Sequence, residues 1–442
     1  MKQQDSSPLT SPHKRSTAEE MQQLISRLYP ICRSITGNGV RESLRILQEY
    51  IPLQIQEVAS GTAVFDWRVP PEWNIRDAYI KDHKGNRIVD FRKHNLHILS
   101  YSIPIKGSFR LEELIPHLYT LPEQPDLIPY RTSYYQENWG FCLPHRLLES
   151  MRDDRYEVCI DSSLKDGFLS YGELLLAGTS EEEVLISTHI CHPSLCNDNL
   201  SGLAVCTFLA HYLSLRPHRY SYRFLFVPGT IGAITWLAIN EDQLSRIRHG
   251  LVASLLGDEG DFTYKRSRRR QAEIDRVVPF VLSELEKAHK VIDFVPYGYD
   301  ERQYCSPGLN LPVGCLTRST YGTFAAYHTS ADNLDFVKAT QLEESLQVYQ
   351  AVVDTLDQNR YYLNLNPKCE PQLGRRGLYA LIGGQNDSKQ FELAILWVLN
   401  LSDGQHSLLD IAEQSQMNFS LLVAAAKALV KGELLTEIQD VD

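Results

Sequence analysis

A chain of 442 residues with 43% hydrophobic and 22% charged residues and a formal net charge of −11 reads as a soluble globular protein too long for one small core. Its acidity argues against a general binder of nucleic acid or anionic membrane, and it holds no run of about 18 apolar residues that would span a bilayer. The first residues, Met1 to Ser16, are polar and lack the apolar stretch of a secretory signal, so 1–17 is expected to be a disordered tail. Nine cysteines, an odd count with members such as Cys206 and Cys315 set among apolar neighbours, look like reduced core residues, which implies a cytoplasmic home.

Apolar residues recur at helical spacing from about Glu19 to Tyr50, with a break near Thr36-Gly37-Asn38-Gly39. Between Ala63 and about Ile128 the character changes to short aromatic and β-branched runs separated by turn residues, the pattern of a small β-rich module over 63–128 inserted into an α/β domain of 18–62 and 129–380. After Tyr156 apolar runs at Val184–Thr188, Phe224–Val227, Leu251–Leu256 and Pro312–Leu316 predict buried strands. They alternate with helical patterns over Leu200–Leu215, Ile234–Asn240, Gln271–Lys290 and Gln341–Leu356. The fold class expected is therefore α/β, a mostly parallel central sheet covered by helices, with sites just beyond the carboxyl ends of its strands.

Three short helices, Phe391–Leu401, Ser407–Ser415 and Phe419–Val430, close the chain and resemble a winged helix-turn-helix module over 385–442. From Asp387 onward three Lys face nine Asp and Glu, whereas DNA contact demands phosphate neutralisation. Docking, or homo-oligomer formation through this or the inserted module, is the better expectation, with no nucleic-acid or membrane partner.

The stretch Ser187 to Gly202 carries the chemistry. His189 falls where a strand ends, and Asp198 in a turn that opens the next helix. An imidazole and a carboxylate together beyond a strand end suit Zn²⁺; the plainer alternative is a helix cap and a satisfied core histidine. Asp258 and Glu259 at the end of the Leu251 strand, and His328 in a late Tyr-His-Thr loop, add ligand types in plausible places. A rival set is His189, Cys191, His192 and Cys196 as a structural zinc knuckle, against which stands the usual use of two separated ligand clusters. The run Lys265 to Arg270 reads as a solvated loop or as a carboxylate clamp through Arg268. Trp67, Trp73, Tyr134, Tyr135 and Trp139 read as the core of the β module or its seam, or else as a face on which a sugar or peptide stacks.

The order strand-then-His189, Asp198-Asn199-Leu200-Ser201-Gly202, strand-then-Asp258 and Tyr327-His328-Thr329 resembles the zinc aminopeptidase clan. It is most similar to a bacterial aminopeptidase-like family with an inserted β-rich domain and a C-terminal winged helix. Further hallmarks of that family are Asp66-Trp67-Arg68-Val69-Pro70 and Asp300-Glu301-Arg302-Gln303-Tyr304. The resemblance implies that His189 and Asp258 bind one zinc, that Asp198 bridges and that His328 binds a second. One departure matters: where the clan has two adjacent Glu, one a base and one a ligand, this chain has Gly229-Thr230. One zinc, or a tight and a weak site, is then expected. Hydrolysis of a small peptide-like amide needs a substitute base, for which Glu301 is preferred over Glu259 because a loop over strand ends reaches into such sites. Arg268, Arg302 and Tyr304 are the expected substrate contacts. The alternative is a zinc protein that binds a peptide- or sugar-like ligand without cleaving it.

Overall fold

The computed structural model describes residues 16–152, 154–378 and 385–438. Eight strands form the central sheet: β1 (Gln54–Ala59), β2 (Phe168–Leu176), β3 (Glu183–His189), β4 (Ser221–Val227), β5 (Ile247–Ala253), β6 (Phe262–Lys265), β7 (His289–Ile292) and β8 (Val313–Thr317). Their spatial order is β1-β2-β4-β3-β5-β8-β6-β7. The middle four, β4, β3, β5 and β8, are parallel, and they are the four that the apolar runs predicted. Antiparallel pairings flank them, at β1–β2, β2–β4 and β6–β8, so the sheet is mixed. The outermost strands β1 and β7 carry no such run because strands buried less completely read as alternating or polar. His289–Ile292 is one such case: the helix expected to run to Lys290 ends at Glu284, and a strand follows.

Every residue of β3 and β4 is buried, which requires cover on both faces. Main helices are α1 (Thr17–Leu28), α2 (Asn38–Gln48), α3 (Gly202–Ser214), α4 (Ile231–Ile239), α5 (Glu273–Glu284) and α6 (Ala339–Gln358). Strand alternation sorts the core. Val184, Ile186, Phe224, Phe226 and Leu251 pack with apolar residues of α1, α3, α5 and α6, while Leu185, Leu225 and Val252 pack with Ile231 and Trp236 of α4. Each such side chain contributes about 1.5–3 kcal/mol by leaving water, and Phe224→Ala would cost about 3–5 kcal/mol through its cavity. Ser16 and Thr17, assigned to the tail, belong to α1: Ser16 caps it, with Glu19 completing the capping box. The rest of that tail lies outside the described residues. Gly37, at φ +100°, turns the chain between α1 and α2, where a Cβ would sit 1.9 Å from the Trp73 carbonyl oxygen.

Between β1 and β2 the chain builds a separate sheet of Arg87–Asp90, Glu72–Lys81, Arg155–Lys165 and Ile105–Arg110. The module thus extends well past residue 128, because its longest strand, Arg155–Lys165, pairs with both Glu72–Lys81 and Ile105–Arg110. Within this module Asn95–His97 forms a 3₁₀ turn.

The C-terminal module contains α7 (Gln385–Leu401), α8 (Leu408–Ser415) and α9 (Phe419–Lys431). Its three-stranded sheet places Tyr361–Asn364 between Asp403–Ser407 and Leu435–Ile438. It begins near residue 360 and not at 385, since its central strand lies upstream of the helices. Arg276 of α5 meets Asp410 and Glu413, and Glu284 accepts from the Phe419 N–H at 2.6 Å, which docks the module on the α/β body. No described helix is long and apolar enough to cross a membrane.

Candidate metal centre

β3 delivers His189 at its carboxyl end, and the loop to α3 brings Asp198 back over it. His189 Nε2 lies 2.8 Å from Asp198 Oδ1, and His328 Nε2 lies 3.0 Å from Asp198 Oδ2. His192 Nε2 faces Oδ2 at 4.0 Å, too far for a hydrogen bond. Ligand atoms of His189, His192 and Asp198 all lie within 4.8 Å of one another. Burial pushes His192 well below the usual histidine range, which leaves a neutral imidazole with a lone pair to give. Burial would raise the Asp198 carboxyl, but His192, His189 and His328 together hold it well below its ordinary value. Imidazoles converging on a fully buried carboxylate fit Zn²⁺, which takes N and O ligands at about 2 Å. The 4.0 Å between His192 and Asp198 exceeds the roughly 3.3 Å between two ligands of a tetrahedral zinc, so a small inward shift of His192 would close the site on an ion.

The surrounding hydrogen bonds fix this carboxylate. Asp332 accepts from the Asn197 N–H at 2.6 Å and the Asp198 N–H at 2.9 Å, and its own carboxyl is raised to about 7 by burial. Asn199 Nδ2 donates to Thr188 Oγ1 and to the His189 carbonyl, which ties the loop to the end of β3. Ser201 Oγ bonds the Asn197 carbonyl, and Asn197 Oδ1 receives the Gly257 N–H. A Cβ on Gly202 would lie 2.4 Å from Asn199 Oδ1 and 2.7 Å from the Ala253 carbonyl, so glycine alone lets α3 start here. Aromatic rings brace the imidazoles. Tyr299 stacks on His189 with centroids 5.1 Å apart, Tyr327 stacks on His328 at 4.0 Å, and Tyr130 lies 5.0 Å from His192 and 5.1 Å from His328.

Of the ligands expected from sequence, His189, Asp198 and His328 come together. Asp258 does not join them. Its Oδ2 accepts from Asn197 Nδ2 at 2.7 Å, and its Oδ1 from Ser319 Oγ at 2.6 Å and the Gly260 N–H at 2.7 Å. Asp258 therefore anchors Asn197, the residue before Asp198. The chain travels beyond the end of β5 before reaching it, so strand order alone did not fix its direction. His192 is a candidate ligand outside the expected set, weighed from the sequence only as part of the knuckle. Its signal is its spacing, three residues after His189 and just past the strand end. Cys191 and Cys196 are both buried; Cys191 receives the Gly229 N–H at 3.2 Å, and burial pushes both thiols above their usual range, so neither thiolate ligand of the knuckle reading is favoured.

The substitute carboxylate is also different. Glu301 is fully buried and ion-paired with Lys265, and Lys265 donates to the Tyr297 carbonyl at 2.8 Å. Glu259 is exposed. The neighbour of Glu301 stands there instead: Asp300 Oδ1 accepts from the Thr230 N–H at 2.6 Å, at the Gly229-Thr230 step where the resemblance leads one to expect a Glu pair. Successive residues entering a helix point about 100° apart, so only one of Asp300 and Glu301 faces the metal side. Burial raises the Asp300 carboxyl to about 6, against the pull of His189. Thr230 is held at φ +65°, a strained conformation of the kind stored at functional sites.

The substrate contacts divide likewise. Arg302 Nη2 reaches Thr230 Oγ1 at 3.3 Å and lies in the site's wall. Tyr304 is buried, its hydroxyl 2.8 Å from Ser187 Oγ, and supports β3. Arg268 is exposed and bonds Asn310 at 3.0 Å, so the solvated-loop reading of the Lys265–Arg270 run holds for it.

Residues 22–359 match the model of a family described as a domain of unknown function, DUF4910. The chain belongs to this family. Residues 360–437 match a winged helix-turn-helix model, whose boundary agrees with the strand at Tyr361. A Clostridium acetobutylicum protein whose name describes a polysaccharide biosynthesis protein with an aminopeptidase-like domain is 55% identical over 419 residues, 95% of this chain and 96% of that one. A 2.37 Å crystal structure from the same organism, named as a peptidase, superposes with a TM-score of 0.90 and 53% identity over 96% of this DUF4910 chain and 97% of that one. A zinc aminopeptidase from Bacillus subtilis superposes with a TM-score of 0.56 at 11% identity, over 77% of this chain and 95% of that one. That last likeness is one of fold: the α/β body is zinc aminopeptidase-like, with a winged helix appended.

Proposed function

We propose that this DUF4910 chain is a zinc-dependent amide hydrolase whose general base is Asp300. The observation that carries the reading is the juxtaposition of the His189, His192 and Asp198 group with a buried carboxylate at the Gly229-Thr230 step. His189, His192 and Asp198 would hold the zinc, with His328 bonded to Asp198 Oδ2, and the ion would supply Lewis acidity toward a carbonyl oxygen and toward water. Asp300, raised to about 6, is ionised at neutral pH yet basic enough to accept a proton and return it to a leaving amine. The single hydrogen bond to its carboxylate among the described residues comes from Thr230, so one oxygen is oriented while the other remains available. Arg302, beside Thr230, is placed to hold the polar or anionic end of the substrate.

A peptide-like amide is the substrate class that the fold favours. The polysaccharide biosynthesis name of the relative that is 55% identical supports a narrower version, an amide carried on an amino sugar. The test is zinc content together with turnover of a panel of peptide and N-acyl amino-sugar amides. Wild type should hold zinc and turn over at least one amide, and Asp300→Asn should keep the zinc while losing about 10²- to 10⁴-fold in rate. Zinc with no turnover across the panel would favour a binding protein that does not cleave.

A further inference from the structure

Two exposed aromatic side chains stand where the inserted module meets the metal centre. The hairpin of Ala63–Val64 and Trp67–Arg68 packs against α4, the helix that begins just after Gly229-Thr230. Trp67 is 41% exposed and Tyr135 is 44% exposed, with ring centroids 5.1 Å apart at 62°. Phe65, in the turn of the hairpin, is 51% exposed. Tyr135 and Phe65 have φ of +66° and +54°, conformations that cost a bulky residue strain and that here hold both rings outward. Rings of this size exposed side by side are uncommon on a surface with nothing to cover them.

A continuous lane of rings joins this ledge to the ligands. Tyr130 touches His192 and His328, its hydroxyl lies 2.9 Å from that of Tyr134, and the Tyr134 ring lies 6.3 Å from that of Tyr135. Exposed Asp66, Arg68, Gln136 and Glu137 surround the ledge. Each strand of the hairpin is only two residues long, too short to present the line of backbone donors that binds an extended peptide, so what the ledge offers is ring faces and polar side chains.

We propose that Trp67 and Tyr135 form a stacking subsite for a pyranose ring of an N-acylated amino-sugar oligosaccharide, whose amide end reaches the metal centre. The apolar C–H face of the sugar lies on the rings, and its hydroxyls meet the polar rim. This assignment rests on the amide-hydrolase reading for the other end of the ligand, but ring binding is measured independently of hydrolysis.

The experiment is calorimetric titration of the full-length, zinc-loaded protein with tri-N-acetylchitotriose. Saturable binding is expected in the wild type, with about tenfold weaker binding in Trp67→Ala and in Tyr135→Ala and unchanged zinc content in both. Asp300→Asn, which serves the hydrolase reading, should bind the trisaccharide as the wild type does; if it does so while no amide is ever turned over, the subsite stands and the hydrolase reading fails. Absence of trisaccharide binding in the wild type, or wild-type binding in both ledge variants, overturns the subsite. So does a wild-type dimer that Trp67→Ala converts to a monomer, because the ledge would then be a protein interface.

Discussion

The two sides of the metal centre are built differently. On the ligand side, His189, His192 and Asp198 lie within ten residues of one another, and Asp332, Asn197, Asn199, Ser201 and Gly257 fix the loop through hydrogen bonds that leave it little freedom. On the base side, Asp300 comes from 70 residues beyond Thr230 and is tied to it by one backbone hydrogen bond. A local, over-determined frame suits a function that must not move, the holding of an ion. A single tether suits a carboxylate that has to exchange a proton. The contrast makes separable demands on mutants: damage on one side should cost metal and stability together, and damage on the other should cost rate alone.

The largest effect belongs to the ligand side. Asp332→Ala removes the acceptor of two buried N–H groups, and each group left unsatisfied costs about 1–3 kcal/mol. Loss of a partner that orients a ligand also weakens metal affinity by about 10- to 100-fold. Denaturant unfolding and a competitive zinc titration should both register the change; a loss of stability with zinc affinity untouched would break the link between the two. A carboxylate can next be moved across the base side. A Cβ at Gly229 would meet only Cys191 Sγ at 3.4 Å and His189 Cβ at 3.7 Å, so the backbone leaves room to begin the side chain of Gly229→Glu beside His189. Introduced into Asp300→Asn, it should recover about tenfold of the lost rate. If Gly229→Glu lowers the rate further with zinc unchanged, the base has been assigned to the wrong place.

The smallest effect lies away from the centre and serves as a control. Glu72 is paired with Arg41 of α2 at 2.6 Å and receives the Phe168 N–H at 3.0 Å. Arg41 holds the Glu72 carboxyl down at about 2, against the upward push of burial. A depressed carboxyl contributes stability that is complete above its unfolded value near 4.5 and fades as pH falls toward 2. Thermal midpoints from pH 6 to pH 2 should therefore drop less for Glu72→Gln than for wild type, since the variant has already lost this contribution. Parallel curves would mean that the pair carries no pH-dependent stability.

What was legible in the sequence follows the same division. The four parallel strands at the middle of the sheet were readable because burial on both faces leaves continuous apolar runs. The outermost strands β1 and β7, half exposed along their length, left no such mark. His189, Asp198 and His328 could be named because strand ends and a turn motif place them locally. The choice between His192 and Asp258 could not be made that way, since it depends on which direction each side chain takes after its strand ends. Asp300 and Glu301 are adjacent, and helix phase alone puts Asp300 beside Thr230 and Glu301 against Lys265. The inserted module was placed but cut short, because its closing strand, Arg155–Lys165, returns after a stretch with no apolar period.

His192 and Asp258 also provide the most direct test of the metal centre. Zinc per chain, measured by mass spectrometry after dialysis, should be close to stoichiometric for the wild type and for Asp258→Asn, and should fall by about tenfold or more for His192→Ala. Zinc retained by His192→Ala and lost by Asp258→Asn would contradict the ligand set described for this fold.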